Sequence, residues 1–272
     1  MPKHPVIHLL VMYLYLCPMA VADVSSNEEP RAALDNEFPS FVSLASIRPL
    51  YRVFCSGTII TGILILTTAN CLSKYPRGNT VILVGSNRAL HGNRYTVAAW
   101  MTYTEWLRRN NKNHKPDGTE IGIIEVSRRI EFTPSVNLAQ MPLEYNVPIH
   151  DLKVTVLSWP DARGYVDLNL IAGNVSLTSY DGCKSRVHGP TRVRVMEERL
   201  FCSVPGPHLT KIDEGGPVIV NNRLLVGINY WRQTRTSFPK VNMHINYVQF
   251  KHFITSITDT GLLTLYKNPN DS

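Results

Sequence analysis

The sequence has 272 residues, of which 44% are hydrophobic and 18% are charged, and its formal net charge is +7. This composition excludes intrinsically disordered and low-complexity chains, because it supplies enough apolar residues for a core. The 16 glycines and 18 prolines follow no repeat of fixed period, which excludes a collagen-like structure. We therefore expect a globular chain that forms one large or two small domains.

The N-terminal segment has the features of a secretory signal peptide. The apolar run Val6–Leu16 follows a short segment with one lysine, and Ala20-Val21-Ala22 is a small-x-small cleavage pattern. The alternative is a membrane anchor, but a bilayer requires about 20 apolar residues, and this run is about half as long. We predict removal of residues 1–22, a mature chain from Asp23, and a secreted, extracellular protein without a membrane span.

The cysteines agree with an oxidising compartment. With Cys17 in the signal peptide, the mature chain keeps an even number, Cys55, Cys71, Cys183 and Cys202. Four cysteines permit three pairings, and neither neighbouring pair has the C-x-x-C spacing of a zinc or redox site. Our first choice is local pairing, 55 with 71 and 183 with 202, because closing a loop of roughly 15 residues removes about 3 kcal/mol of unfolded-state entropy.

A glycosylation sequon is present at Asn174-Val175-Ser176. We predict that it lies in a loop and that Asn174 carries the glycan. A second match, Asn270-Asp271-Ser272, is a poor acceptor because it ends the sequence.

Hydrophobic periodicity predicts an all-β chain. Short apolar, β-branched segments alternate with turn residues, a pattern typical of a sandwich or barrel. The predicted strands lie at Phe41–Ala45, Thr58–Leu66, Thr80–Val84, Tyr95–Trp100, Ile121–Val126, Leu152–Ser158, Asn169–Leu177, Arg192–Val195, Gly216–Val220 and Leu224–Tyr230. One segment, Val248–Thr258, has helical periodicity.

Three motifs, in this order and spacing, resemble those of one protein family. Phe54–Ile60 (FCSGTII) and Ile65–Cys71 (ILTTANC) are similar to the first barrel of trypsin-like serine proteases. Thr119–Ile124 (TEIGII) is similar to the family's NDIALL, and Ile212–Val218 (IDEGGPV) is similar to its GDSGGPL. The resemblance extends over about residues 34–257, nearly the whole mature chain.

The resemblance implies two antiparallel six-stranded β-barrels with a site in the cleft between them, and a short C-terminal helix. We predict a first barrel at about 34–143, a second at about 144–247 and the helix at about 248–257. An N-terminal segment, 23–33, precedes this unit, and a tail, 258–272, follows it. The disulfides that the family implies are the two local pairs already favoured.

The family's catalytic triad has changed at all three positions. Asn70 stands in the place of the general base His, Glu120 in that of the orienting Asp, and Glu214 in that of the nucleophilic Ser. An amide accepts no proton near neutral pH, and a carboxylate is a poor nucleophile toward an amide. We expect Asn70 and Glu214 to face each other across the cleft with a hydrogen bond near 3 Å. The alternative is that both side chains point into solvent.

The supporting machinery also departs from the family pattern. The oxyanion-hole glycine is replaced by Ile212, whose branched side chain restricts the backbone. The family frees an Ile-Val-Gly-Gly end whose amine pairs with the residue at Asp213, but the Ile position here is Asn27. Cleavage after Arg31 would give a new N-terminus that is too short to reach Asp213. We therefore expect Asp213 to have another partner or to keep the arrangement that it has in the family's zymogens.

We predict no catalytic residue, no cofactor and no metal site. The carboxylates Glu120, Asp213 and Glu214 are interpreted as hydrogen-bonded structural groups, with cation coordination as the alternative. The predicted function is that of a secreted, inactive serine protease homologue that binds or regulates in extracellular proteolytic, immune or reproductive-fluid processes. Its partners would be extracellular proteases, their inhibitors or their substrates. Two alternatives stay open: a peptidase of altered mechanism and a basic glycan-binding protein on the same scaffold.

A basic segment precedes Glu120. Arg108, Arg109, Lys112 and Lys115 lie where the family has a loop beside the cleft, and they are candidates for binding an acidic protein surface or a sulfated glycan. An ordinary solvated loop explains the same residues. No nucleic-acid recognition motif is present, so we predict no nucleic-acid partner.

Overall fold

The structure is a computed structural model that describes residues 29–112, 120–144, 152–160, 168–187, 189–204, 209–211, 213–230 and 241–262. The predicted signal peptide lies outside the described residues. Among those described, no helix is both long enough and apolar enough to cross a bilayer.

The N-terminal half forms a closed antiparallel barrel. A two-residue strand, β1 (Arg31–Ala32), precedes it and pairs elsewhere. The barrel strands are β2 (Phe41–Ser46), β3 (Arg52–Ile59), β4 (Leu64–Thr68), β5 (Thr80–Val84), β6 (Asn93–Thr102) and β7 (Ile121–Val126). They are hydrogen-bonded in the order β2-β3-β4-β7-β6-β5. Every residue of β2, β4, β5 and β7 is buried, and most of these residues are apolar, although Ser43, Ser46 and Glu125 are buried with them.

The C-terminal half forms the second sheet. Its strands are β8 (Lys153–Ser158), β9 (Ile171–Ser176), β10 (Leu200–Ser203), β11 (Pro217–Val220), β12 (Leu224–Tyr230) and β13 (Asn242–Ile245). With β1 at one edge, the order is β1-β9-β8-β11-β12-β13-β10. A bridge between Leu177 and Ser203, with a hydrogen bond from the Val204 amide to the Ser176 carbonyl at 3.0 Å, brings the ends of β9 and β10 together. The six strands β8–β13 therefore curve back on themselves.

Within the described part of the chain there are also five short helices. They are α1 (Ala69–Leu72), α2 (Tyr103–Arg109), α3 (Tyr180–Arg186), α4 (Pro190–Met196) and α5 (Lys251–Thr260), with 3₁₀ turns at Arg77–Asn79 and Tyr247–Phe250. The C-terminal helix α5 buries Phe253, Ile254 and Ile257 in a cluster that also contains Leu66 of the first barrel and Leu225 of the second. This shared core joins the two halves.

The predicted all-β fold with a terminal helix is confirmed, but one predicted strand is wrong. Arg192–Val195 lies in α4, which begins at Pro190, a residue whose fixed backbone angle favours the first helical turn. Thr191 and Val195, four residues apart, are buried, whereas Val193 is 52% exposed. That spacing is helical. The strand was predicted because Arg and Val alternate here with the two-residue period of a strand.

The predicted strand Thr58–Leu66 is also divided in two. β3 ends at Ile59 and β4 begins at Leu64, with a hairpin between them in which the Ile60 amide donates to the Leu64 carbonyl at 3.0 Å. Helix α2 was not predicted, although Thr102 and Glu105 form a capping box, whose T-x-x-E signal is visible in the sequence.

Candidate functional site

Helix α1 presents Asn70 at the end of strand β4. Thr68 ends the strand, and its hydroxyl accepts a hydrogen bond from the Cys71 amide at 3.3 Å, which caps the helix. The Ala69 amide donates to the Glu120 carbonyl at 2.9 Å, which ties α1 to the residue before β7. The cap and this backbone bond fix the exposed Asn70 at the boundary between the two halves.

Glu214 reaches the same boundary from the second half. It lies in the turn before β11, and its backbone carbonyl accepts from the Ser56 amide of the first barrel at 2.8 Å. Gly215 has φ +86°, and a side chain there would overlap Thr67 Oγ1 and the Ser56 carbonyl. The turn therefore packs directly against β3 and β4, and the Glu214 side chain is completely buried.

The Glu214 carboxylate accepts hydrogen bonds from three side chains of the first barrel. Asn70 Nδ2 lies 3.0 Å from Oε1 and 2.9 Å from Oε2, so the predicted hydrogen bond between Asn70 and Glu214 is confirmed. Thr68 Oγ1 donates to Oε1 at 3.2 Å, and Lys74 Nζ donates to Oε2 at 3.1 Å. These contacts supply the charge and the donors that a buried carboxylate requires.

Lys74 is the member of this group that sequence analysis missed. Its side chain is 22% exposed, and Nζ also donates to the Phe54 carbonyl at 3.4 Å and the Lys211 carbonyl at 3.2 Å. Cys55 Sγ lies 3.1 Å from Nζ. Lys74 belongs to none of the motifs, and only the packing of the two halves brings it to Glu214. The one available signal was that a carboxylate in a buried motif needs a cation nearby.

Glu120 is directed toward helix α2. Its side chain is 4% exposed, and Oε2 accepts from Thr104 Oγ1 at 2.6 Å. Thr104 belongs to α2. This contact gives the Glu120 carboxylate a role in holding α2 against the first barrel.

Asp213 has partners within the second half. Its carboxylate accepts from the Trp159 amide at 2.6 Å and the Ser158 hydroxyl at 3.2 Å. It also accepts from the Thr210 amide at 2.6 Å and the Thr210 hydroxyl at 3.0 Å. Burial nevertheless raises the pKa of Asp213 to about 7, because desolvation of the charged form outweighs these hydrogen bonds. Ile212, the predicted oxyanion-hole replacement, lies outside the described residues.

The carboxylates do not converge as a set of metal ligands would. Glu120 binds Thr104, Asp213 binds Ser158, Trp159 and Thr210, and Glu214 binds Lys74 and its neighbours. Cys55 and Cys71 have sulfur atoms close to a Glu214 oxygen, within 4.8 Å. Those sulfurs are joined in a disulfide and offer no thiolate.

Comparison with known proteins identifies the family. The family model described as Trypsin matches residues 29–254. The chain belongs to the trypsin family. Among curated relatives, it is 27% identical to the venom serine protease of Polistes dominula over 242 residues, or 81% of this chain and 82% of the relative. It is 25% identical to the chymotrypsin of Phaedon cochleariae over 210 residues, or 72% and 71% of the two chains.

Solved structures have the same trypsin-like fold. A scabies mite inactivated protease paralogue, S-I1, matches with a TM-score of 0.67 at 18% identity, over 85% of this chain and 99% of the paralogue. HL collagenase matches with a TM-score of 0.66 at 17% identity, over 84% and 96%. At these identities the two structures support the fold alone.

The structure of this trypsin-family chain also locates the predicted disulfides and the predicted glycosylation site. The disulfides Cys55–Cys71 and Cys183–Cys202 are both present. Asn174 is exposed, but it lies in β9 rather than in a loop, and its Oδ1 accepts from Thr155 Oγ1 at 2.9 Å. The loop was inferred from the sequon, yet Ile171–Ser176 pairs along all of β8.

The basic segment is only partly described. Arg108 and Arg109 end helix α2 and are exposed, and Lys112 Nζ lies 5.9 Å from the centre of the Trp106 ring. Lys115 lies outside the described residues. The structure thus brings Asn70 and Glu214 together and keeps these basic residues on a separate element.

Proposed function

We propose that the chain is a secreted trypsin-family protein that has no protease activity and acts by binding other molecules. One observation carries the proposal: the buried Glu214 carboxylate, at the place of the family's nucleophile, is bound by Asn70, Thr68 and Lys74. In this arrangement the residues at the positions of the nucleophile and the base are partners in a structural contact.

The chemistry of these groups supports the proposal. Acyl transfer needs a hydroxyl or thiol nucleophile and a base that takes its proton. The Asn70 amide is not a base near neutral pH, and it donates to both carboxylate oxygens. The Glu214 side chain is held by the Lys74 ammonium group at 3.1 Å, and a carboxylate in this place would repel the negative oxygen of a tetrahedral intermediate. Glu120 keeps the negative charge of the family's third residue but has no histidine to orient.

The retained scaffold supports a binding role. Two disulfides and a core shared by both halves hold the cleft region in a fixed shape. Disulfides of this kind agree with an extracellular location. The partners we propose are extracellular proteases, their inhibitors or their substrates, because the chain keeps the fold of the trypsin family. One of the structural neighbours is itself described as an inactivated protease paralogue.

Hydrolysis of a broad peptide library tests this proposal. The purified secreted protein should give the same cleavage profile as its Asn70→Ala variant, which changes an exposed side chain and controls for contaminating proteases. A profile of the unchanged protein that exceeds the variant's, and that disappears with a serine- or carboxyl-directed inhibitor, would contradict the proposal and favour a peptidase of altered mechanism.

A further inference from the structure

Two arginines on the outside of the first barrel are held in place by tyrosine rings. The Arg94 guanidinium lies 4.6 Å from the centre of the Tyr51 ring, and that of Arg128 lies 4.1 Å from the centre of the Tyr95 ring. Both arginines are exposed. The two also contact each other, because an Arg128 guanidinium nitrogen donates to the Arg94 carbonyl at 3.3 Å.

The rings beneath the arginines are anchored in turn. The Tyr51 hydroxyl donates to the Leu90 carbonyl at 3.3 Å, and the Tyr95 hydroxyl accepts from the Glu131 amide at 3.2 Å. Glu131 also has a carboxylate 3.9 Å from Arg128, but both side chains remain mostly exposed. The guanidinium groups are therefore positioned before any ligand arrives, which lowers the entropy cost of binding an anion.

The first half of the chain, which carries these arginines, is basic on its exposed side. Among the described residues of 34–144, ten lysines and arginines are exposed, and only three acids are, namely Asp35, Glu131 and Glu144. Beside the arginines, the exposed hydroxyls of Thr96 and Ser127 are 2.6 Å apart. We call Tyr51, Arg94, Tyr95, Thr96, Ser127 and Arg128 the Arg94–Arg128 surface.

This surface is separate from the Asn70–Glu214 site. Strand β7 begins at Ile121, paired with Thr68 beside that site, and ends at Val126, just before Arg128. Arg94 lies beyond the same end of β7, since Val97 pairs with Val126. Six strand residues span about 20 Å. A ligand on the Arg94–Arg128 surface would therefore not occupy the cleft.

We propose that the Arg94–Arg128 surface binds a sulfated polysaccharide. Fixed guanidinium groups match sulfate oxygens in charge and geometry. Of the paired hydroxyls of Thr96 and Ser127, the one that accepts in their mutual hydrogen bond keeps an O–H that can donate to a sugar or sulfate oxygen. Tyr95 is 2% exposed and Tyr51 is half-buried under Arg94, so the exposed residues of this surface are two arginines and two hydroxyl residues. Charge complementarity therefore favours a polyanion as the occupant. The proposal goes beyond the proposed function, because it does not depend on the loss of catalysis.

Heparin, used as the probe, tests the site. The unchanged protein should be retained on immobilised heparin, and R94Q/R128Q should elute at lower salt, with about tenfold weaker binding at physiological ionic strength. R108Q/R109Q is the matched control, because it removes the same charge from the basic segment near Glu120 and should shift elution little. Circular dichroism would verify that both variants fold. Equal shifts for the two variants, or no retention of the unchanged protein, would overturn the proposal.

Competition distinguishes a glycan from an acidic protein. Soluble heparin fragments should displace the protein from the column at a much lower concentration than polyglutamate, when both concentrations are expressed as moles of negative charge. If polyglutamate competes equally well, the surface recognises acidic polypeptide and the polysaccharide proposal is wrong.

Discussion

Glu214 is a completely buried acidic residue whose side chain is held by residues of the other half of the chain. A buried carboxylate is stable only with a cation and donors around it, and Lys74, Asn70 and Thr68 provide them. All three come from the first barrel, whereas Glu214 belongs to the second half. The contact therefore contributes to the packing of one half against the other.

We predict that Lys74→Met destabilises the protein strongly. The substitution leaves the Glu214 carboxylate buried without its cation, and such a loss costs about 3–5 kcal/mol. The matched control is Lys251→Met, which breaks an ion pair with Glu144 whose side chains are 42% and 76% exposed. It should change the free energy of unfolding by less than about 1 kcal/mol. Urea denaturation measures both variants, and equal effects would show that Glu214 does not depend on Lys74.

Two buried titratable residues, Asp213 and His244, should have opposite effects on how stability changes with pH. The pKa of Asp213 is raised to about 7, so its contribution to the free energy of unfolding falls as the pH rises from about 4 to 7. Burial lowers the pKa of His244 to about 3, so its contribution is lost as the pH falls from about 6.5 to 3. Between about pH 4 and 6.5 the two slopes oppose each other.

Variants separate the two effects. In Asp213→Asn, the free energy of unfolding should fall more steeply on acidification below about pH 6.5, because only the His244 slope remains. In His244→Gln, it should rise as the pH is lowered from about 7 to 4, because only the Asp213 slope remains. Urea midpoints measured from pH 4 to 8 compare the slopes independently of each variant's overall stability. Curves parallel to that of the unchanged protein would contradict the assignment.

At the scale of elements, the N-terminal strand β1 protects a bond that otherwise has the sequence of a trypsin site. Arg31 and Ala32 pair with Ala172 and Ile171 of β9, and the Ala33 amide donates to the Leu170 carbonyl at 2.7 Å. The Arg31 guanidinium forms two hydrogen bonds with the Glu37 carboxylate, which lower the pKa of Glu37. A protease must detach this strand before it can bind the Arg31–Ala32 bond.

We therefore predict slow cleavage after Arg31 in the native protein and faster cleavage in Glu37→Gln. Loss of a partly exposed ion pair is worth up to about 1 kcal/mol, which corresponds to an increase of about two- to fivefold in cleavage through the open state. Glu131→Gln, which removes the distant contact with Arg128, is the matched control. Timed trypsin digestion with mass spectrometry of the N-terminus measures the rates. Rapid cleavage of the unchanged protein would contradict the protection.

At the scale of the whole molecule, the sequence predicts contacts within motifs better than contacts between them. Asn70 and Glu214 each lie in a recognisable motif, so their meeting could be predicted. The contacts of Lys74 with Glu214 and of Trp159 with Asp213 connect residues 140 and 54 positions apart, outside any shared motif. The first depends on how the two halves pack, and the second on tertiary packing within the second half. One local prediction was also wrong. Arg192–Val195 alternates like a strand, but it lies in a helix that begins at Pro190.

Restoring the triad should not restore a protease. If the resemblance assigns the positions correctly, the triple change Asn70→His, Glu120→Asp and Glu214→Ser would supply base, orienter and nucleophile, but Ile212 would still stand where the family has its oxyanion-hole glycine. Each missing oxyanion donor costs about 10² to 10³ in rate. Peptide-library turnover of this variant should stay near background. Turnover far above that of the unchanged protein would show that the supporting site is intact.

The central claim is that no serine-type nucleophile works at the Asn70–Glu214 site, and covalent labelling tests it most directly. The folded, unchanged protein is incubated with a fluorophosphonate probe beside an active trypsin, and intact mass is recorded. We predict full labelling of the trypsin and no adduct on this protein, because residue 214 is a hydrogen-bonded carboxylate. Stoichiometric, site-specific labelling of this protein would contradict the account.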